Sequence, residues 1–390
     1  MNEQELGRAL LTVPVPGELD AQRRAWAVVR AAYAEREPGR RQLRRLRPLL
    51  AFAIVLGLVG AAVSPPGQAV GDWIQERIEG ENPAEPALFR LPAPGRLLVV
   101  GDRGPWVVRG DGSSRFLGRY ENASWSPNGL FVVVTQAHRV LAVEPNGDFR
   151  WKVARPERVS QARWSTGDGF RVAYRAGETL RVVDGDGEND RLLTRGVAPV
   201  AVAWRPQRAD EHVLAYADAR DRVHVVDVDT RRALWPAQPV QKVRRLLWSA
   251  DGQRLLAVRE HRLDLFRSGG HLAQAVKPAE GHVVLDAAFA PRGRGWAYTD
   301  YDPAANQGKV AMSSGRTLFA GTGRLEELAW SPSGRWLLVG WPDADQWLFL
   351  RLSRAEVGKV VAVEGISREF NPGGDGGVRF PRVAGWCCAP

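Results

Sequence analysis

The sequence predicts an all-β fold, a seven-bladed β-propeller, preceded by a short cytoplasmic helical segment and one transmembrane helix. Three observations predict it. An aromatic residue recurs at Trp125, Trp164, Trp204, Trp248, Phe289, Trp330 and Phe370, in steps of 39, 40, 44, 41, 41 and 40 residues, and a fixed period near forty is what a propeller writes into its sequence. Most copies run on into a polar turn, as in Trp125-Ser126-Pro127-Asn128-Gly129, Trp248-Ser249-Ala250-Asp251-Gly252 and Trp330-Ser331-Pro332-Ser333-Gly334. Ahead of the repeats, residues 48–63 carry no charge and follow a cluster of arginines.

The first segment is residues 1–47. Leu19, Trp26, Val29 and Tyr33, spaced seven, three and four apart, fall on one face of a helix. A helix of that size cannot bury a core of its own, so the face is expected to lie on the membrane or to dock a partner protein. Residues 48–65 then form the membrane span, at the short end of the roughly 17 to 25 apolar residues that a bilayer helix needs. Arg36, Arg40, Arg41, Arg44, Arg45 and Arg47 precede it, whereas residues 67–85 hold one arginine and five acids. The positive-inside rule therefore places the N-terminus in the cytoplasm and the propeller outside, as in a single-pass protein of a bacterial cell membrane. A cleaved signal peptide, cut near Gly60-Ala61-Ala62, is the alternative and leaves the propeller on the same side. Residues 66–95 read as a juxtamembrane helix bearing Val70, Trp73, Ile74 and Ile78, followed by a proline-rich stalk.

Residues 96–386 hold the propeller, with residues 387–390 left as a tail. In the first full unit, strands are expected at residues 123–125, 130–135, 139–143 and 149–153, separated by Asn-Gly turns that tolerate the positive φ of tight hairpins. Four strands per repeat make one blade. Blade count follows from the ends. Residues 97–100, 106–108 and 115–118 read as three strands lacking a first partner, and residues 366–370 read as that partner. Joining them gives six full units and one composite, with six or eight blades as the alternatives.

The recurring aromatic is assigned to structure, because a blade exposes apolar faces on both sides and must pack against its neighbours. The aromatic-Ser-Pro-polar-Gly signature resembles the TolB-like, or WD40-like, β-propeller repeat family, over about residues 97–386. The Gly-His and Trp-Asp marks of true WD40 repeats are missing, and the units at Trp204 and Phe289 depart from the pattern. The resemblance implies a binding scaffold and no catalytic residue set. Function is therefore expected in what differs between copies and in the cytoplasmic tail.

Composition excludes several classes. Net charge is +10, but 49 of the 54 basic residues are arginines, and those beyond residue 50 are scattered along the chain, which reads as a solvated surface and not as a nucleic-acid face. Catalytic, metal and cofactor sites are expected to be absent. Gly-x-Ser-x-Gly, His-Glu-x-x-His and phosphate-loop motifs are missing, and His138, His212, His224, His261, His271 and His282 stand at unrelated positions. The run from Asp184 to Asp190 alternates carboxylates as a calcium loop does, but lacks its sixth-position glycine and closing glutamate, so a hairpin turn is expected. Cys387 and Cys388 are the only cysteines; a ring disulfide, a bridge to another chain and free thiols all remain open.

Two functions compete. One is a membrane-anchored, non-enzymatic module whose propeller binds a protein or envelope ligand. The other is a transmembrane regulator, similar in layout to membrane-bound anti-sigma factors, whose residues 1–47 hold a cytosolic regulatory protein while the propeller senses. The zinc-type His-Cys-Cys pattern of that group is absent from residues 1–47, and the Leu19, Trp26, Val29, Tyr33 face is what favours this reading.

Overall fold

The computed structural model describes residues 90–165, 170–206, 211–293, 295–353, 356–372 and 379–388. The expected cytoplasmic segment with its Leu19, Trp26, Val29, Tyr33 face, the expected span at 48–65 and the expected juxtamembrane helix lie outside these residues. Among the described residues no helix is long and apolar enough to cross a membrane.

Seven four-stranded antiparallel sheets follow one another along the chain. Blades 2 to 7 occupy residues 122–154, 159–195, 203–239, 245–276, 283–322 and 326–364. Blade 1 is composite: Arg96–Gly101, Gly104–Val108 and Ser114–Phe116 are joined by Arg382–Cys387, which pairs antiparallel to Arg96–Gly101. The first strand of every blade touches the first strands of both neighbours, and this chain of contacts returns to its start through Arg382–Cys387. The ring is closed around a central channel lined by first strands.

The core sits between blades. Seven apolar clusters are present among the described residues, and each joins two consecutive blades. Leu98 and Val107 of blade 1 meet Val132 and Val134 of blade 2, for instance, while Leu338 and Phe349 of blade 7 meet Leu97 and Val99 of blade 1. Both faces of each sheet are consumed this way, which is why the middle strands are apolar almost throughout, as in Val213–Ala217 and Trp336–Trp341.

Three expectations need correcting at the ends. Residues Ile366–Phe370 form a short α-helix, not the closing strand; that strand is Arg382–Cys387. Gly365, in the left-handed region at φ 73°, turns the chain into this helix, and the segment after it delays the last strand beyond the forty-residue period. Cys387 accordingly belongs to the propeller and not to a tail. Leu91 and Ala93, expected in a proline-rich stalk, are instead buried in the cluster between blades 7 and 1.

Candidate functional site in the central channel

The repeated residues are spent on the scaffold. In the turn that follows the aromatic, the serine is buried and its Oγ accepts the backbone N–H five or six residues on: Phe131 to Ser126 at 2.9 Å, Arg171 to Ser165 at 2.7 Å, Arg254 to Ser249 at 3.0 Å and Trp336 to Ser331 at 3.1 Å. The glycine closes the same turn, Gly129 N–H donating to the Ser126 carbonyl at 2.9 Å, and its left-handed φ of 66° is what that geometry demands.

The tryptophans staple blade to blade. Trp204, Trp248 and Trp330 donate Nε1–H to the carbonyls of Arg163, Ala203 and Ala288, at 3.0, 3.1 and 3.1 Å. Each acceptor is the residue just before the aromatic of the preceding blade, so one bond recurs at three of the blade interfaces. Trp164 is buried against Phe131, Trp151 and Phe170, with Nε1 unpaired. Trp125 and Phe289 are half-buried, under the guanidiniums of Arg96 and Arg254 at 5.0 and 5.5 Å. Phe370 stands apart, in the short helix, fully buried against Trp347 at 5.2 Å and Trp106 at 6.1 Å. The inner-strand aromatic of blade 1 is Trp386.

Cys387 and Cys388 form a vicinal disulfide. It lies where the serine and proline of the motif stand in other blades, with its sulfurs 4.0 Å from the Ser126 carbonyl and 3.8 Å from that of Pro127. Any side chain at Gly129 would collide with it and with Arg96, whose Nη2 donates to the Gly129 carbonyl at 2.7 Å. The disulfide therefore packs the last strand onto the turn of blade 2.

What differs between copies lies on the same inner strands. Counting back three residues from the aromatics gives Asn122, Gln161, Ala201, Arg245, Asp286 and Glu327. Arg163 of blade 3 and Arg382 of blade 1 join them. The charges that act most strongly on Arg163 are those of Arg382 and Arg245, from blades 1 and 5, neither of which adjoins blade 3. Only the channel axis brings those three together.

Each charged group there has a different state. Arg245 forms an ion pair with Asp286 of the next blade. Burial works against the Arg245 charge, but Asp286, with help from Glu327, outweighs it and raises its pKa. The arginine keeps 43% of its side-chain surface open while Asp286 keeps 8%, so the pair spans the boundary between channel water and the blade interior. Asp286 is fixed from every side: its carboxylate accepts the N–H of Ala287 and of Leu328, both at 2.8 Å, and its own N–H donates to Thr299 Oγ1 at 3.0 Å. Blades 5, 6 and 7 thus meet on one carboxylate.

Glu327 has no ion pair among the described residues. Burial first, and then Asp286, push its carboxyl from 4.5 up to about 8, against the pull of Arg382 and Arg245 and with a smaller push from Glu326. An acid held neutral in the fold but ionised in the open chain makes stability fall as pH rises from about 4.5 to about 8. Arg163 is pushed down to about 9, by burial and then by the charges of Arg382 and Arg245. Its guanidinium stays protonated at neutral pH and meets no carboxylate among the described residues; it donates to the Ala162 carbonyl at 2.9 Å. Arg382 reaches the Asn122 side-chain oxygen at 3.5 Å. Gln161 and Glu327 both adopt left-handed backbone, φ 57° and 56°, a conformation that concentrates at functional positions.

Reading the arginines as a scattered surface missed this cluster. For Arg245, Asp286 and Glu327 the signal was in the sequence, in the third position before the aromatic, whereas Arg163 and Arg382 stand one and four residues before theirs; reading either requires knowing that those strands converge.

The calcium-like loop is spoken for. Asp190 pairs with Arg155 and Arg181 and accepts the Tyr174 hydroxyl at 2.6 Å, while Asp184 pairs with Arg171 and Arg191, each at 3.2 Å. His212 pairs with Asp229 at 2.6 Å and His224 with Asp218 at 2.7 Å, and His282 lies 3.4 Å from both Asp300 and Asp302, in three separate places. Among the described residues no group of three or more metal-ligating side chains converges.

No protein-family model matches the chain, and no curated protein matches it in sequence. Solved structures do match in fold. The chain is similar to Hsv2p of Kluyveromyces lactis, with a TM-score of 0.51 and 11% identity over 66% of this chain and 90% of that one. It is also similar to the Cps50 (Swd1) β-propeller domain of Myceliophteria thermophila, at 0.49 and 13% over 70% and 97%, and to Kuenenia stuttgartiensis hydrazine synthase, at 0.49 and 15% over 69% and 80%. At 11% identity, the likeness to Hsv2p bears on the fold alone.

Proposed function

We propose that this protein is a membrane-anchored, extracytoplasmic β-propeller that acts as a non-enzymatic binding module for a protein or envelope ligand. The observation that carries the binding role is the division of labour on the inner strands. Aromatic, serine and glycine positions repeat and are consumed by packing, whereas the third position before the aromatic changes charge from blade to blade and points the variation at one axis. Such a pattern selects a partner by charge without supplying a nucleophile, base and orienting group in mutual reach. The anchor rests on the uncharged run at 48–63 and the six arginines before it.

A reporter enzyme that is active only outside the cytoplasm, fused after Pro390 of the full chain, is expected to be active. Its silence, with a cytoplasm-dependent reporter active in its place, would overturn the topology. The regulator reading is favoured by one feature, the face made by Leu19, Trp26, Val29 and Tyr33. On that reading the full chain retains a cytosolic protein that the Trp26→Ala/Tyr33→Ala variant loses; equal recovery from both variants leaves the anchor-only module.

A further inference from the structure

We propose that the centre of the channel is a binding site for an oxyanion, a carboxylate or phosphate group of the ligand, clasped by Arg163 of blade 3 and Arg382 of blade 1. This rests on the module reading above and names the chemistry its channel selects.

The argument is one of uncompensated charge. Three guanidiniums approach the axis, and the Asp286 carboxylate that faces them is already committed to Arg245 and to two backbone N–H groups. Among the described residues Arg163 and Arg382 have no carboxylate partner, and repulsion among the three arginines is felt at Arg163. Like charges brought together inside a protein cost stability unless something supplies the opposite sign. An oxyanion does so with the bidentate geometry that a guanidinium fork matches. Two rigid features hold the clasp open: the inner strands are fixed by inter-blade tryptophan bonds, and Asp286 ties Arg245 back toward blade 6.

Glu327 tunes the site. Four charged groups face it: Arg245 from blade 5, Asp286 from blade 6, Arg382 from blade 1 and Glu326 of its own strand. Neutral at pH 7, it leaves the positive excess intact; ionised above about pH 8, it competes with the ligand for Arg382.

The test is a titration of the full-length protein with inorganic phosphate, and separately with succinate, at constant ionic strength set with chloride. Binding is read by calorimetry and by thermal shift. Saturable binding is expected at pH 7 for at least one of the two anions, and which one binds separates a phosphate from a carboxylate ligand. Arg163→Gln and Arg382→Gln are each expected to weaken it by about tenfold, the worth of one charge-assisted hydrogen bond. Both variants remove repulsion, so both are expected to fold, and each decides independently. Raising the pH from 7 to 8, below the range where Arg163 loses its proton, is expected to weaken binding more in the natural chain than in Glu327→Gln. No saturable binding of either anion, or binding unchanged in both arginine variants, would overturn the oxyanion site. The reporter result would stand in either case, so failure of this site is distinguishable from failure of the anchored-module reading.

Discussion

Trp248→Ala is expected to destabilise the propeller by about 3 to 5 kcal/mol, in the range of other buried tryptophan truncations. Trp248 stands at the interface of blades 4 and 5, where it packs edge-on against Trp235 at 5.3 Å within an apolar cluster that includes Val225 and Leu255. Its indole N–H is bonded to the Ala203 carbonyl across the interface. Truncation would therefore open a cavity, strip Ala203 of its partner and loosen a ring whose blades hold one another. Trp248→Phe keeps most of the volume and loses the N–H, and is expected to cost about 1 kcal/mol. Leu130→Ala, at a turn residue that is 59% exposed, is the control and should stay within about 0.5 kcal/mol. Denaturant midpoints followed by tryptophan fluorescence and by circular dichroism check all three. A loss at Trp248 no larger than that at Leu130 would refute the structural role of the repeat aromatic.

Asp286→Ala is expected to cost about 2 to 4 kcal/mol, chiefly by leaving two buried backbone N–H groups without an acceptor, with a smaller loss from the ion pair because Arg245 is 43% open to water. The substitution strands Arg245 and leaves the buried N–H groups of Ala287 and Leu328 without an acceptor. It strikes blades 5, 6 and 7 together, so its cost is that of a junction and not of one blade. The double variant Arg245→Met/Asp286→Leu replaces the pair by apolar side chains of similar size and is expected to recover only the ion-pair share of the loss. Thermal unfolding of the two variants and the natural chain checks this. If the double variant is no more stable than Asp286→Ala, the ion pair has no share in the loss.

Much of the fold was legible because the propeller repeats itself. The forty-residue step, the Asn-Gly and Asp-Gly turns and the alternating strands each carry local physics, and the observed strands at 122–125, 139–143 and 149–154 follow the expected ones closely. The ends were harder. Residues 366–370 kept the period and an aromatic, yet fold as a helix because Gly365 turns the chain and Phe370 finds a buried place against Trp347. The closing strand, Arg382–Cys387, had slipped out of period, and its Trp386-Cys387-Cys388 disguises the aromatic-Ser-Pro mark. Blade closure joins residues at opposite ends of the chain, and no local pattern reports such a pairing.

The channel was less legible for the same reason. Arg163, Arg245, Asp286, Glu327 and Arg382 look like unrelated surface charges when read along the chain, and sit at one axis when the ring closes. Charge itself does not reveal its neighbours; register does. Once the inner strand of each blade is aligned on its aromatic, the third position before it carries Arg245, Asp286 and Glu327, and Arg163 and Arg382 lie on the same inner strands one and four residues before theirs.

That convergence is the account's central claim, and the ionisation of Glu327 tests it most directly. Carbon-13 labelling of glutamate, with the Glu327 carboxyl assigned by comparison with Glu327→Gln, would follow its titration in the folded full-length chain. The account predicts a midpoint near pH 8, held up by burial and by Asp286 on the neighbouring blade. A midpoint near 4.3, the ordinary value for a solvated glutamate, would contradict it: the inner-strand charges would then not meet, and the channel would be a water-filled hole without a site.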